Sequence, residues 1–332
     1  MTTFSDNFSA RVFSIADSQS FEKLALELFD FQYNHVQVYQ HYCDLLGRPK
    51  PQTLYEIPFL PIESFKHHDV SANVAAPSES DLLFLSSGTT QMQRAKHRVL
   101  SPAIYHHSAL TTFQTTFGSL ENLVICALLP NYIQQGNSSL VYMVDLLIGE
   151  TKDVNSGFFL EDTQSMMKSI RKAKETGKNV VLFGVSYALL DLAEQQVDLS
   201  GVVVIETGGM KGRRREMLKE ELHQCLKTGL NVNDIYSEYG MTELLSQCYC
   251  KNNEPFFAPP WMKILLRDER DPLSFLEENS TKTGGISVID LANVFSCSFI
   301  NTQDLGRFKG AGFHLLGRFD YADIRGCNQL AL

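Results

Sequence analysis

The sequence predicts an α/β fold, and three observations carry that expectation. Short apolar runs recur through the middle of the chain: Leu82–Leu85, ENLVICALLP from Glu121, NVVLFGVS from Asn179, GVVVIETGG from Gly201 and NDIYSEYG from Asn233. Helical-looking stretches lie between several of them, Tyr187–Gln196 after Ser186 and Arg213–Lys227 after Gly212 among them. Apolar strands alternating with amphipathic helices make a largely parallel sheet covered by helices. From Gly284 onward the rhythm changes: GGISVIDL, CSFINTQDLG and FHLLGRFD are turn-bounded runs with no helix between them, the pattern of a small antiparallel β subdomain.

Ahead of these runs, Phe21 to Leu46 reads as one long helix. Leu24, Leu28, Phe31, His35, Val38, Tyr42 and Leu45 recur at three- and four-residue steps. Ser20 can cap its start, and Gly47 followed by Pro49 can end it. The prolines of IPFLPIESFKHH, Ile57–His68, make that segment an extended, buried connector. A helix is also expected over Pro102–Phe117. The resulting division is an N-terminal helical and extended region over 1–80, an α/β core over 81–283, a β subdomain over 284–326 and a tail over 327–332.

Composition narrows the partners. The chain has 332 residues, 44% hydrophobic and 20% charged, which suits a large globular core. A formal charge of −9 argues against a surface for nucleic acid. The N-terminus lacks a basic flank followed by an apolar run, and the most apolar segment, Ser139–Gly149, is interrupted by Asp145. Neither a secretory signal nor a membrane-inserted segment is therefore expected. Seven scattered cysteines point to reduced thiols and a cytoplasmic location. Cys248 and Cys250 form a C-x-C pair with no second pair at zinc-finger spacing, so no zinc is expected.

Four segments have the residue types for nucleotide chemistry. SSGTTQMQR runs straight out of the first apolar strand. Ser86, Ser87, Gly88, Thr89 and Thr90 offer close backbone N–H groups and hydroxyls, and Arg94, Lys96 and Arg98 supply cations for a polyphosphate. Its spacing is not that of a P-loop. In ETGGMKGRR, Gly208 and Gly209 end a strand and allow a flat ligand such as a purine to lie on the backbone. In YSEYGMTE, Tyr239 can stack on a base, Gly240 and Met241 belong to the expected nucleotide-binding stretch, Thr242 can bond a phosphate and Glu243 can hold Mg2+. Asp304 in NTQDLGRF can take ribose hydroxyls, and Arg318 in LLGRFD can add a ligand bond. Each segment taken singly is also an ordinary turn. His106 and His107 fit a core or surface role better than one at an acyl site. Met143, Phe158, Phe159 and Tyr187 fit either an acyl pocket or plain core.

In this order the four segments resemble the motif series of the adenylate-forming (acyl-AMP) superfamily, from about Asp81 to Gly326. YGMTE is a close match, whereas Gln91 stands where a glycine is usual and Arg94 where a lysine is usual. The resemblance narrows to the LuxE-type acyl-protein synthetases. EIPFLPIESFK, SSGTT followed by Arg94, Lys96 and His97, LLPNYIQQGNSSLVYMVDLLI, TGGMKGRRRE and GRFDYADIRGC are all similar to that family, over nearly the full chain.

The resemblance implies the fold of an adenylate-forming large N-terminal domain, with ATP and Mg2+ as cofactors and a carboxylic, above all fatty, acid as substrate. It implies that Ser86–Thr90 and Arg94 stabilise phosphate charge and that Thr242 and Glu243 position the α-phosphate and metal. Asp304 and Arg318 would hold the ribose, and adenine would lie between Gly208–Gly209 and Tyr239. Few residues follow GRFD, so the mobile C-terminal domain and its lysine are expected to be absent. Arg94, Lys96 or Lys211 would then meet the pyrophosphate. It also implies that Cys327 carries the acyl group as a thioester, with Arg325 lowering its pKa, for a downstream acceptor protein such as a reductase. Two other readings compete: an acyl- or aryl-CoA ligase of the phenylacetate type, and a non-catalytic nucleotide- or acyl-binding subunit.

Overall fold

The computed structural model describes residues 3–74, 81–87, 93–129, 137–208, 214–215, 217–278 and 280–319. The α/β expectation holds. The main sheet has six strands in the order β5-β4-β6-β7-β8-β9. They are β4 (Leu123–Leu128), β5 (Gly157–Phe158), β6 (Asn179–Val185), β7 (Val202–Thr207), β8 (Ile235–Tyr239) and β9 (Cys248–Lys251). All pairs are parallel except β8–β9. Every residue of β4 is buried, as are six of the seven in β6, because helices cover both faces of a parallel sheet.

Those helices are α5 (Pro102–Phe117), α6 (Ser139–Thr151), α7 (Thr163–Glu175), α8 (Ser186–Ala193) and α9 (Lys219–Leu230). Pro102 opens α5 at a position where a missing N–H costs nothing. The last two are offset from expectation: α8 stops at Ala193 rather than Gln196, and α9 starts at Lys219 rather than Arg213.

LLFL is a strand, β2 (Leu82–Leu85), but it does not join the parallel sheet. It pairs antiparallel with β3 (Lys96–Val99) as a separate ribbon. The antiparallel sheet also begins earlier than Gly284. β10 (Met262–Arg267) pairs with β11 (Gly284–Asp290), then come β12 (Phe299–Lys309) and β13 (Gly312–Arg318). A two-residue strand, β1 (Leu60–Pro61), joins β12 in parallel, so the expected connector is itself part of this sheet, and a one-turn helix, α4 (Ser64–His67), follows it.

The long N-terminal helix divides in two. After α1 (Thr3–Val12), α2 runs Ser18–His35 and α3 runs Gln37–Leu45. Between them the fully buried Val36 is extended, at φ −106 and ψ 96, while its N–H still bonds Gln32. Apolar periodicity continues across this corner, which is why the sequence reads as unbroken. Asp17 rather than Ser20 is the N-cap; Ser20 sits three residues on and closes a reciprocal capping box. Gln32 fastens α2 to the far end of the chain. Its amide nitrogen donates to the carbonyls of Asn293 (2.9 Å) and Val294 (3.0 Å), and its oxygen accepts from Ser298 N–H at 3.0 Å. One continuous apolar cluster runs from Phe8 to Phe313.

Candidate active site

The carboxyl ends of β2, β7 and β8 and the middle of β12 open onto one cleft with two lobes. The first lobe, about 440 Å³, is lined by Ser86 and Ser87, by Met241, Thr242 and Glu243, by Thr302, Gln303 and Asp304, and by Arg318. The second, about 660 Å³, shares Ser87, Met241 and Thr242 and extends to Arg94, Tyr105, Leu140, Met143, Thr207, Glu238 and Gln247. Ligands of parallel sheets bind at this end because loops diverge there and leave backbone groups open.

The Ser86 turn is held by its own ribbon. Ser86 N–H donates to the Ala95 carbonyl (3.0 Å), and Ala95 N–H donates to Ser86 Oγ (2.8 Å). Arg94 folds back over the turn, its Nε donating to the Ser86 carbonyl at 2.5 Å and its Nη2 to that of Leu85 at 3.3 Å. The guanidinium thus braces the strand end while lining the second lobe. Lys96 lies exposed on β3 opposite Leu85 and lines neither lobe, so it stands apart from the phosphate role expected of it.

The turn after β8 is pinned from beneath. His97 Nδ1 donates to the Thr242 carbonyl at 2.8 Å. The Asn293 amide nitrogen donates to the carbonyls of Glu243 (2.9 Å) and Cys297 (3.1 Å). Asp290 accepts from the N–H groups of Leu245 (2.8 Å) and Ser246 (3.0 Å) and from Ser246 Oγ (2.6 Å). Trp261 Nε1 donates to the same Ser246 Oγ at 2.9 Å. Thr242 and Glu243 are therefore fixed through their backbone while both residues line the first lobe. Burial pushes the His97 ring down to about 4 and raises the Asp290 carboxyl, although the hydrogen bonds to Asp290 pull the other way.

Asp304 and Arg318 face each other across the β12–β13 pair. Arg318 Nε lies 3.5 Å from Asp304 Oδ1, and the Tyr239 hydroxyl donates to Asp304 Oδ2 at 3.1 Å. This corrects the stacking expected of Tyr239. Its ring is fully buried against the stacked pair Phe256 and Phe313, so it offers no face to a base. Instead it orients the carboxylate that lines the lobe.

Gly208 ends β7 as expected, at φ +52, a conformation that favours glycine. Thr207, rather than Gly208, lines the cleft. Met143 lines the second lobe; Tyr187 lies in the core, and the half-buried Phe158 and Phe159 pack against it. His106 Nε2 is 2.7 Å from the Tyr142 hydroxyl, and His107 packs on Phe13. Gly88, Thr89, Thr90, Gly209, Lys211, Arg325 and Cys327 lie outside the described residues. Among the described residues no three His, Cys, Asp or Glu side chains group as a metal site, and no helix is long and apolar enough to cross a membrane.

Sequence reasoning missed the residues behind the site: His97, Asn293, Asp290, Glu238 and Gln247. Two of them stood inside motifs without a role of their own, His97 after Arg94 and Lys96 and Glu238 within YSEYGMTE; in the fold His97 points inward from its strand with Val99.

The fold resembles those of adenylate-forming enzymes. The 2-hydroxyisobutyryl-CoA ligase in the postadenylation state, in complex with R3-HIB-AMP, aligns with a TM-score of 0.61 at 10% identity, covering 94% of this chain and 70% of that one. McyG A-PCP complexed with phenylalanyl-adenylate aligns with a TM-score of 0.52 at 14% identity, covering 76% of this chain and 49% of that one. The chain thus spans about half the length of the second. No curated protein matches it. The family model of the acyl-protein synthetase LuxE matches residues 7–331, and the chain belongs to that family.

Proposed function

We propose that the protein activates a carboxylic acid with ATP as an acyl-adenylate and then passes the acyl group to a protein thiol. The observation that carries this reading is the two-lobed cleft joined at Ser87, Met241 and Thr242. It offers a nucleotide and an acid adjacent sites that meet at hydroxyl groups suited to phosphate oxygens.

In the first lobe Asp304, oriented by Tyr239 and Arg318, accepts the ribose hydroxyls. Ser86, Ser87 and Thr242 donate hydroxyl hydrogens to phosphate oxygens, and Arg94 meets the negative charge between the lobes. Glu243 suits a Mg2+ ion that arrives with ATP, since magnesium takes one or two carboxylates and completes its shell with phosphate oxygens and water. That ion would neutralise charge on the departing pyrophosphate.

The acid lies in the second lobe, where Leu85, Leu140 and Met143 give the apolar wall a fatty chain needs. Its carboxylate oxygen bonds to the α-phosphorus, and the bond from that phosphorus to the β-phosphate bridging oxygen breaks. Pyrophosphate leaves. A thiolate then bonds to the acyl carbon and AMP departs, giving a thioester. Family membership and the sequence IRGCNQLAL support Cys327 as that thiol and a reductase as the later acyl acceptor.

The test is incubation with ATP and labelled acids followed by mass spectrometry of the protein. An acyl adduct on Cys327, released by hydroxylamine and missing from Cys327→Ser, is expected. An adduct undiminished in Cys327→Ser would remove the carrier role and leave adenylation standing. Acyl-CoA as the product would assign the acceptor differently.

A further inference from the structure

The second lobe also carries a half-buried carboxylate, Glu238, and a buried amide oxygen, that of Gln247, acceptors that a plain alkyl chain cannot satisfy. Glu238 precedes Tyr239 on β8, so the two side chains point to opposite faces of the strand. Tyr239 enters the core, and Glu238 lines the lobe. Its Oε2 accepts from the Thr207 hydroxyl at 2.6 Å. Space for Oε1 depends on Gly240, where an added Cβ would come within 2.2 Å of that oxygen. Gln247 approaches the same glycine, its Cγ 3.3 Å from such a Cβ. The Gln247 Oε1 is buried, lines the same lobe and finds no donor among the described residues.

The hydrogen bonds of the neighbouring donors run elsewhere: the Thr207 hydrogen goes to Glu238 Oε2, the Tyr105 hydroxyl donates to the Ser139 carbonyl at 3.3 Å, and Arg94 gives two of its five N–H groups to the Ser86 turn and keeps the others for phosphate charge. An alkyl chain laid against Glu238 and Gln247 brings no donor to Glu238 Oε1 or Gln247 Oε1. Each such loss weakens binding about five- to 150-fold.

We propose that Glu238 and Gln247 form a specificity subsite that selects acids bearing a hydrogen-bond donor, a hydroxyl or a protonated amine, on the acyl chain. The inference rests on the second lobe being the acid lobe of the reading above. Burial raises the Glu238 carboxyl to about 7, so an ammonium would hold it ionised and a hydroxyl can donate to it in either form.

The experiment is acid-dependent ATP–pyrophosphate exchange by the full chain with matched acids: hexanoic against 2-, 3- and 6-hydroxyhexanoic and 6-aminohexanoic, and decanoic against 3-hydroxydecanoic. At least one substituted acid should exceed its plain partner in kcat/KM by about tenfold or more. Glu238→Leu combined with Gln247→Leu should bring that ratio to one or below. The nearly isosteric Glu238→Gln should keep part of a hydroxyl preference but lose a preference for amine, separating the two donors and guarding against a folding defect. Preference for the plain acid in every pair, or a ratio unchanged in the double variant, overturns the subsite and leaves adenylation intact. Absence of exchange with every acid overturns the adenylation reading and the subsite together.

Discussion

His97 Nδ1 donates a 2.8 Å hydrogen bond to the carbonyl of Thr242, 145 residues further along the chain. The other ring nitrogen, Nε2, lies 3.1 Å from Asn293 Oδ1. The Asn293 amide nitrogen faces two carbonyls, which fixes the orientation of that amide. A neutral imidazole has one N–H and bonds one of these acceptors; the charged ring would bond both. Burial decides the contest in favour of the neutral form.

Acid stability follows from that contest. The ring's ordinary value of 6.5 falls to about 4 in the fold, so the folded chain binds fewer protons between these values. The His97 contribution is fully present above about pH 6.5 and is lost as the pH falls toward 4, on the order of 3 kcal/mol in all. Urea midpoints measured from about pH 7 down to 4.5 should fall less steeply in His97→Gln than in the parent chain. Identical slopes would mean that another group governs this range.

Asn293→Ala should loosen the same turn. The carbonyls of Glu243 and Cys297 each lose a buried donor, for about 2–3 kcal/mol of stability. Pyrophosphate exchange should fall with it, mainly in kcat, because Thr242 and Glu243 lose their backbone support. A variant with normal exchange and an unchanged unfolding curve would show that the turn holds itself.

Tyr239→Phe isolates the hydroxyl that orients Asp304. With the ring retained in the core, stability should change by about 1 kcal/mol or less. The KM for ATP should rise about fivefold while the KM for the acid stays put. Equal rises in both would place Asp304 between the lobes rather than at the ribose.

Arg94→Ala and Arg94→Lys separate charge from shape. A lysine restores the charge but lacks the planar fork that holds both carbonyls in one fixed geometry. Exchange is expected to drop about a hundredfold in Arg94→Ala and to recover only in part with lysine. Full recovery would make Arg94 a simple cation and the brace on Ser86 incidental.

The order of strands and helices was legible because burial leaves a period in the sequence. The fully buried runs at Leu123–Leu128 and Val180–Val185 announce a covered parallel sheet. Corners leave no such mark, since Val36 continues the apolar pattern while its backbone leaves the helix. Partners in space are equally hidden. Nothing local says that LLFL pairs with KHRV rather than with the main sheet, or that Leu60–Pro61 joins β12. The motif residues Ser86, Thr242, Glu243, Asp304 and Arg318 do meet at one lobe. Tyr239 shows the limit of reading a motif by residue type. An aromatic beside a glycine suggested stacking, whereas strand alternation sends its ring into the core and turns Glu238 to the cleft.

Acid-dependent ATP–pyrophosphate exchange by the purified chain, compared with Thr242→Val and Glu243→Gln, tests the adenylation reading most directly. Exchange that requires both an acid and Mg2+, and falls about a hundredfold or more in each variant, is expected. Exchange absent with every acid, or undiminished in both variants, would contradict the assignment of this cleft to acyl-adenylate formation.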